Sequence, residues 1–242
     1  MISAQPEKPC DADVAVIWSW KQPRVINRQR EAAKHVLVLE RGFLQPRNQW
    51  VSLSWDGFNG RGSFPGAADG GARWDRHFGH MLKPWRETVG GNALLIGQVP
   101  GDAALFGQDI VAWTQDFSAR LLGLGFQVTF RPHPLSPIPC PPGAILSVNS
   151  LATDLATAGF VVTYNSTTAV EAILAGVPAV VMDAGSVAYP MASHGLEEPL
   201  RYPDRTAWCH DLAWRQWTLG ELADGSAWQH ACRHIDGLSL AV

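Results

Sequence analysis

Two short runs hold residues whose types and spacing suit chemistry on a phosphorylated ligand. The first is Arg131-Pro132-His133-Pro134, directly after the apolar run from Gln127 to Phe130. The prolines restrict the backbone and hold the imidazole in one direction. A histidine titrates near neutral pH, so His133 can donate to a phosphate or protonate a leaving group. Arg131 adds positive charge. The second run is Tyr164-Asn165-Ser166-Thr167-Thr168, between the apolar stretch Phe160 to Thr163 and a helical pattern ending in Ala175-Gly176-Val177-Pro178. Three hydroxyls at the start of a helix offer donors to phosphate oxygens, where free backbone N–H groups already favour an anion. Glu171 follows one turn later, and Thr168 with Glu171 has capping-box spacing. Each run also has a plainer reading. Ser, Thr and Asn cap helices anywhere, and a histidine between prolines can serve only to stiffen a turn.

Weaker candidates lie in other loops. Gly97-Gln98-Val99-Pro100-Gly101-Asp102 follows an apolar run and is expected to face a ligand cleft with Gln98 and Asp102, although it lacks the GK[ST] of a phosphate-binding Walker loop. Ser186, in Asp183-Ala184-Gly185-Ser186, is a further possible nucleotide contact. In the first third, Ser54 to Arg73 is rich in glycine and offers Asp56, Arg61, Asp69 and, just beyond, Asp75. A glycine-rich stretch of this length inside a compact domain serves as a lid or binding loop more often than as filler. His77 and His80 are three apart but have no third ligand nearby, so they are read as a solvated helix face and no metal site is assigned.

The elements that must position these residues follow from apolar periodicity. Val14 to Trp18 and His35 to Glu40 read as buried strands with a polar helix, Arg24 to Lys34, between them. Arg73 to Trp85 reads as a helix. The second half alternates: strand Ala93 to Val99, helix Asp109 to Leu122, strand Gln127 to Arg131, strand Ala144 to Val148, helix Leu151 to Thr157, strand Phe160 to Tyr164, helix Ser166 to Ala175 and strand Pro178 to Met182. Helices Trp208 to Trp217 and Leu219 to Ala231 close the chain. Alternation of this kind means a parallel sheet covered on both faces, whose ligands bind at the carboxyl edge. Both runs above fall at that edge. The expected division is a small α/β domain over 1–90, a nucleotide-binding domain over 91–205, and C-terminal helices over 206–242 packing back.

Composition sets bounds on the class. The chain has 242 residues, 46% of them hydrophobic and 17% charged, with a net charge of −3. That is a globular composition and argues against a generally basic surface for coating nucleic acid. No apolar run is long enough to span a bilayer, and Met1 to Asp13 lacks a signal-peptide core. Four cysteines without a CxxC pair read as free thiols, so a cytoplasmic protein is expected. The 11 tryptophans suit core packing and, secondarily, stacking on sugars or bases.

RPHP, followed after some thirty residues by strand–NSTT–helix–GVP, resembles the C-terminal domain of the GT-B glycosyltransferases, and most of all the capsule-polysaccharide Kdo-transferase and polysialyltransferase group. The resemblance spans about residues 93 to 190. It implies an α/β, GT-B-like fold of two Rossmann-type domains. It also implies metal-independent, inverting transfer of a sugar from a nucleotide-sugar donor, with no cofactor. By resemblance His133 and Pro134 match the HP motif. Ser166, Thr167 and Thr168 match the hydroxyl motif that holds the donor phosphate, and Glu171 reaches the donor's sugar or ribose. The family's base is an acidic residue in a glycine-containing loop of the N-terminal domain, which points to Asp56 as catalytic, with Arg61 and Asp69 toward the acceptor. The acceptor is a glycan hydroxyl or a hydroxymethylated pyrimidine in phage-type DNA. The first domain is smaller than the family's, so acceptor binding draws on the glycine-rich loop or on a homodimer partner. Two other classes fit the same residues: a non-catalytic module that binds a nucleotide sugar or nucleic acid, and a sugar-nucleotide epimerase.

Overall fold

A computed structural model describes residues 12–32, 34–86, 91–233 and 235. The chain forms two compact units. One joins Met1–Gly79 to Arg205–Val242, and the other is His80–Asp204. The change of unit thus falls at Gly79 and His80, ahead of the expected boundary near residue 90.

The second unit is a five-stranded, wholly parallel sheet. Its strands are β4 (Asn92–Ile96), β5 (Gln127–Arg131), β6 (Ile145–Leu146), β7 (Phe160–Thr163) and β8 (Ala179–Val181), in the spatial order β6-β5-β4-β7-β8. The order reverses between β4 and β7, which is the topological switch point of a doubly wound sheet. Side chains alternate across the strands. Ala93, Leu95, Val128, Phe130, Phe160 and Val162 form one buried face under α3 (Ile110–Gly123), which supplies Ile110, Trp113, Phe117 and Leu121. At about 1.5–3 kcal/mol for each large side chain buried, this face anchors the unit. On the other face Leu94 and Val161 are buried beneath α4 (Leu151–Thr157) and α5 (Thr168–Leu174).

α3 begins where Asp109 accepts hydrogen bonds from the amides of Val111 and Ala112, both at 3.0 Å. α5 ends at Gly176, in the left-handed region at φ 78°. The amides of Gly176 and Val177 bond back to Ile173 and Ala172, at 3.1 and 2.9 Å, which satisfies the last carbonyls. A Cβ at Gly176 would run into the Pro84 carbonyl.

The first unit has a mixed sheet in the order β1-β2-β3-β9. β1 (Val14–Trp18) and β2 (His35–Arg41) are parallel and joined through α1 (Pro23–Glu31). β3 (Val51–Trp55) runs antiparallel to β2, and β9 (Gln216–Trp217) antiparallel to β3. A second Rossmann-type sheet was expected here. The 42–50 connection is too short for the crossover a parallel neighbour needs, so β3 turns back. Helix α2 (Ala72–His77) is shorter than the expected Arg73 to Trp85. Residues beyond Gly79 are extended, and the amides of Lys83 and Arg86 bond to Leu174 and Gly176 at the end of α5. α6 (Thr206–Trp214) stops before Trp217, because Gln216 and Trp217 become β9. The long closing helix is two, α7 (Leu219–Ala223) and α8 (Ser226–Cys232), broken at Gly225 with φ 85°.

Arg73 holds the first unit together. Its guanidinium donates to the carbonyls of Ala213 and Gln216, at 2.9 and 2.7 Å, and pairs with both oxygens of Glu221. It lies 4.5 Å from the Trp217 ring centroid and 5.3 Å from that of Trp214. The cation thus lies against two aromatic rings, and its charge is met by one carboxylate.

Candidate functional site

The carboxyl edge of the parallel sheet gathers the loops after β4, β5, β7 and β8. Buried amides hold them in register. Gln98 donates through Nε2 to Asn165 Oδ1 at 2.7 Å, and its Oε1 accepts from the Asn165 amide at 3.0 Å. Asn165 Nδ2 then donates to the Ala104 carbonyl at 2.7 Å and to Asp183 Oδ2 at 2.8 Å. These two side chains sit at the switch point between β4 and β7 and fasten three of the four loops. Gly97 lets the first loop come close to β5, because a Cβ there would press on the Phe130 ring and Pro132 at 3.0–3.3 Å. Gln98 was expected to touch a donor. Its amide instead braces the edge, since it is buried and its carbonyl and amino groups both meet Asn165.

His133 stands at the end of β5, half-buried, in a tight turn that pairs it with Ser136. Its Nδ1 accepts from the Leu135 amide at 3.3 Å. That contact assigns the neutral ring's proton to Nε2, making Nε2 a donor. Ser166, Thr167 and Thr168 are all half-buried and form the turn between β7 and α5. The expected capping box between Thr168 and Glu171 does not form. Instead Ser166 Oγ accepts from the Thr168 amide at 3.2 Å and meets Thr168 Oγ1 at 3.1 Å. Ser166 lies outside the helix and can bend back to that amide, whereas Thr168 is already its first residue.

Three expected donor contacts are turned elsewhere. Arg131 donates to the Asn149 carbonyl and to Asp154 Oδ2, both at 2.7 Å. Phe130 fills the α3 face, so strand alternation points Arg131 to the α4 face, where Asp154 is 3% exposed. The cation neutralises that buried carboxylate, which also accepts from Ser147 Oγ at 2.6 Å and Asn149 Nδ2 at 3.2 Å. Ser186 is buried, and its Oγ accepts from the Ala188 amide at 3.3 Å. Glu171 lines a groove of about 520 Å³ between α4 and α5 together with Leu155, Leu174, Lys83 and Arg86.

The first unit's candidates lie apart along the chain. Asp56 follows β3 with φ 55°, a left-handed backbone uncommon outside glycine. Its Oδ1 accepts from the Val36 amide at 2.9 Å, and its Oδ2 is 3.3 Å from His35 Nδ1. Arg61 is exposed in a short 3-10 turn, Asn59–Arg61. Asp69, expected at the acceptor, is a structural brace. It accepts from the amides of Gly71 and Arg73, at 3.1 and 2.6 Å, and from Trp214 Nε1 at 3.0 Å. Burial alone would raise its pKa, but the Trp214 and backbone hydrogen bonds outweigh that and hold it low.

Among the described residues no group of three His, Cys, Asp or Glu side chains has the arrangement to hold a metal ion. His77 sets its ring edge-on to Trp50, with centroids 5.4 Å apart. Cys140, Cys209 and Cys232 are free thiols, and Cys10 lies outside the described residues. No helix among the described residues is long and apolar enough to cross a membrane.

No family model matches the chain. No curated protein matches it in sequence. Solved structures do match. One is Thermosulfurimonas dismutans KpsC, described as a beta Kdo 2,4 transferase, with a TM-score of 0.55 over 81% of this chain and 78% of that one, at 12% identity. Another is the KpsC of the same organism described as a beta Kdo 2,7 transferase, with a TM-score of 0.54 over 82% and 75%, at 15% identity. The fold resembles that of KpsC Kdo transferases. At this identity the likeness is one of architecture, and it extends well beyond the stretch carrying the HP and hydroxyl motifs.

Asn165 and Asp183 are the edge residues whose roles were not legible from their motifs. A buried-strand end followed by Asn, and a second followed by Asp, is the only local signal, and neither shows that the two side chains meet.

Proposed function

We propose that the chain is a glycosyltransferase of GT-B type that moves a sugar from a nucleotide-activated donor to an acceptor hydroxyl. The observation that carries this reading is the switch-point edge of the parallel sheet. There the Ser166–Thr168 turn is offered on a loop locked by Gln98 and Asn165, with His133 on the loop after β5. The likeness to KpsC supports it and favours a glycan acceptor, with activated Kdo among the first donors to try.

In this reading the second unit takes the donor. The acceptor oxygen attacks the anomeric carbon opposite the departing phosphate, so the configuration inverts. His133 Nε2–H and the three hydroxyls hydrogen-bond the phosphate oxygens as charge builds on them. Prepositioned donors aimed at developing charge are the main resource of such a site. Protonating the leaving group outright would require a doubly protonated ring, which would forfeit the Leu135 contact. His133 therefore acts as a hydrogen-bond donor to the phosphate.

The test is a melting-temperature panel of CMP-, UDP-, GDP- and TDP-sugars on wild type and His133→Ala. A ligand present at about 100 times its dissociation constant stabilises the folded state by about 2.7 kcal/mol. One nucleotide class should raise the wild-type melting point and do so far less in the variant. A flat response to every nucleotide would sink the reading. Transfer would then be followed with glycan acceptors and with hydroxymethylated DNA, for which binding must weaken steeply with salt.

A further inference from the structure

Each sheet has two outer strands, and one of the four is unlike the rest. β6 and β9 are two residues long and β8 is three. Outer strands this short offer little backbone for another chain to pair with. β1 is five residues long, Val14-Ala15-Val16-Ile17-Trp18, and every one is apolar. Long outer strands are usually blunted by lysine, proline, a bulge or a covering segment. β1 has no charged residue and no proline, and among the described residues no strand pairs with its outer edge.

The open groups follow from the register. The Asp13 carbonyl accepts from the His35 amide at 3.1 Å, and the Ser19 amide donates to the Leu39 carbonyl at 2.7 Å. Bonds to one neighbour fall on alternate residues of a strand, so Ala15 and Ile17 also face β2. Val14, Val16 and Trp18 therefore turn their N–H and C=O groups to the outer edge. The side chains of these three share one face of the sheet. Val14 packs on the cluster of Leu37, Leu53 and Trp55, whereas Val16 and Trp18 are 59% and 52% exposed.

We propose that β1 is a homodimer interface, pairing antiparallel with β1 of a second copy about a two-fold axis at Val16; this does not depend on the glycosyl-transfer reading above. Two observations favour a second copy as the occupant. The first is self-complementarity, which a two-fold interface demands. With the axis at Val16, that residue meets itself, and Val14 of each copy meets Trp18 of the other. Each is a closely spaced pair that exchanges both its hydrogen bonds, so every outward group of the strand is satisfied at once. The same register sets the exposed Trp18 across from a valine, a favourable aromatic and β-branched pair. The second observation is charge. Asp13 precedes the strand and Lys21 follows it, both exposed and neither with a partner among the described residues. Antiparallel pairing brings the Asp13 end of each copy to the Lys21 end of the other. Five residues a side make a small interface, so association should depend on concentration.

Sedimentation equilibrium of the protein over a range of concentrations, at low ionic strength, tests the pairing. Wild type should pass from monomer to dimer as concentration rises. Val16→Lys sets like charges directly opposite each other at the axis and should weaken association at least about tenfold. The melting point of the dilute, monomeric protein should stay at the wild-type value, because Val16 is exposed in the single chain. Asp13→Lys should also weaken association, and adding Lys21→Asp should restore it, a rescue that a folding defect would not produce. That charge exchange carries the test by itself if Val16→Lys fails to fold. A wild type that is monomeric at every concentration overturns the proposal. So does a dimer that keeps its strength in either single variant, or one that the second charge reversal does not recover. Slow hydrogen exchange at the Val14, Val16 and Trp18 amides of a monomer would mean that another segment of the same chain covers the edge, and would overturn it equally.

Discussion

At the scale of single residues, buried polar side chains decide which loops can present a ligand site. Asn165 uses its backbone amide, its side-chain carbonyl and both amide protons, the last two on the Ala104 carbonyl and Asp183. Replacing it with Ala strands the buried Gln98 amide. Leaving one buried donor or acceptor unsatisfied costs about 1–3 kcal/mol, so Asn165→Ala should lose about 2–3 kcal/mol by urea denaturation. It should also weaken the donor-induced melting shift. A shift of wild-type size in the destabilised variant would separate the brace from the ligand site. The same logic explains Arg131. A cation at the end of a β-strand looks like a phosphate ligand until strand alternation sets it against Asp154, a carboxylate that could not be buried without it.

At the scale of elements, a buried cation joins apolar packing in holding the first unit together. Arg73 on α2 fastens the carbonyl of Ala213 in α6, that of Gln216 in β9 and the carboxylate of α7. Removing one member of a buried pair leaves the other uncompensated, at about 3–5 kcal/mol. Glu221 keeps some exposure, so Arg73→Leu should cost about 3 kcal/mol, read by thermal or urea unfolding. Arg24→Ala, on the exposed face of α1, should stay within about 0.5 kcal/mol of wild type. Equal effects would remove Arg73 from its central role. The Thr218–Glu221 capping box makes Glu221 serve twice, holding both the start of α7 and the guanidinium.

At the scale of the whole molecule, these buried groups give stability a pH dependence of known sign. His230 is stacked on Trp214, with centroids 4.3 Å apart, and burial pushes its pKa down, helped by Arg233. His77 is lowered in the same way, by burial first and by Arg73 next. A histidine with a depressed folded pKa binds fewer protons than it does unfolded. Its contribution is therefore complete above the ordinary value of 6.5 and is lost as pH falls through the folded value. Glu221 follows lower down. Burial works to raise it, but Arg73 and Thr218 hold it low, so its share is present above 4.5 and lost on further acidification. The melting point should thus fall between pH 7.5 and 5.5, and His230→Leu should shrink that fall. An unchanged difference would mean that His230 is not buried in its neutral form.

The amino-acid sequence by itself determined the parallel half. Runs such as Leu94 to Ile96 and Val161 to Val162 are apolar on both faces, which only a sheet covered on both sides can bury. The helix between β4 and β5 is written in its Asp109 cap and apolar spacing. Those features put His133 and Ser166–Thr168 at one sheet edge. Tertiary structure alone decided the rest. β9 is two residues inside an apparently helical run, and it exists only because Val51 and Ser52 offer a free edge to Trp217 and Gln216. The destinations of Arg131 and Asp69 depended on partners 23 and 145 residues away. Local spacing is governed by backbone geometry over one or two turns. Which carboxylate meets which cation is settled only when distant segments pack.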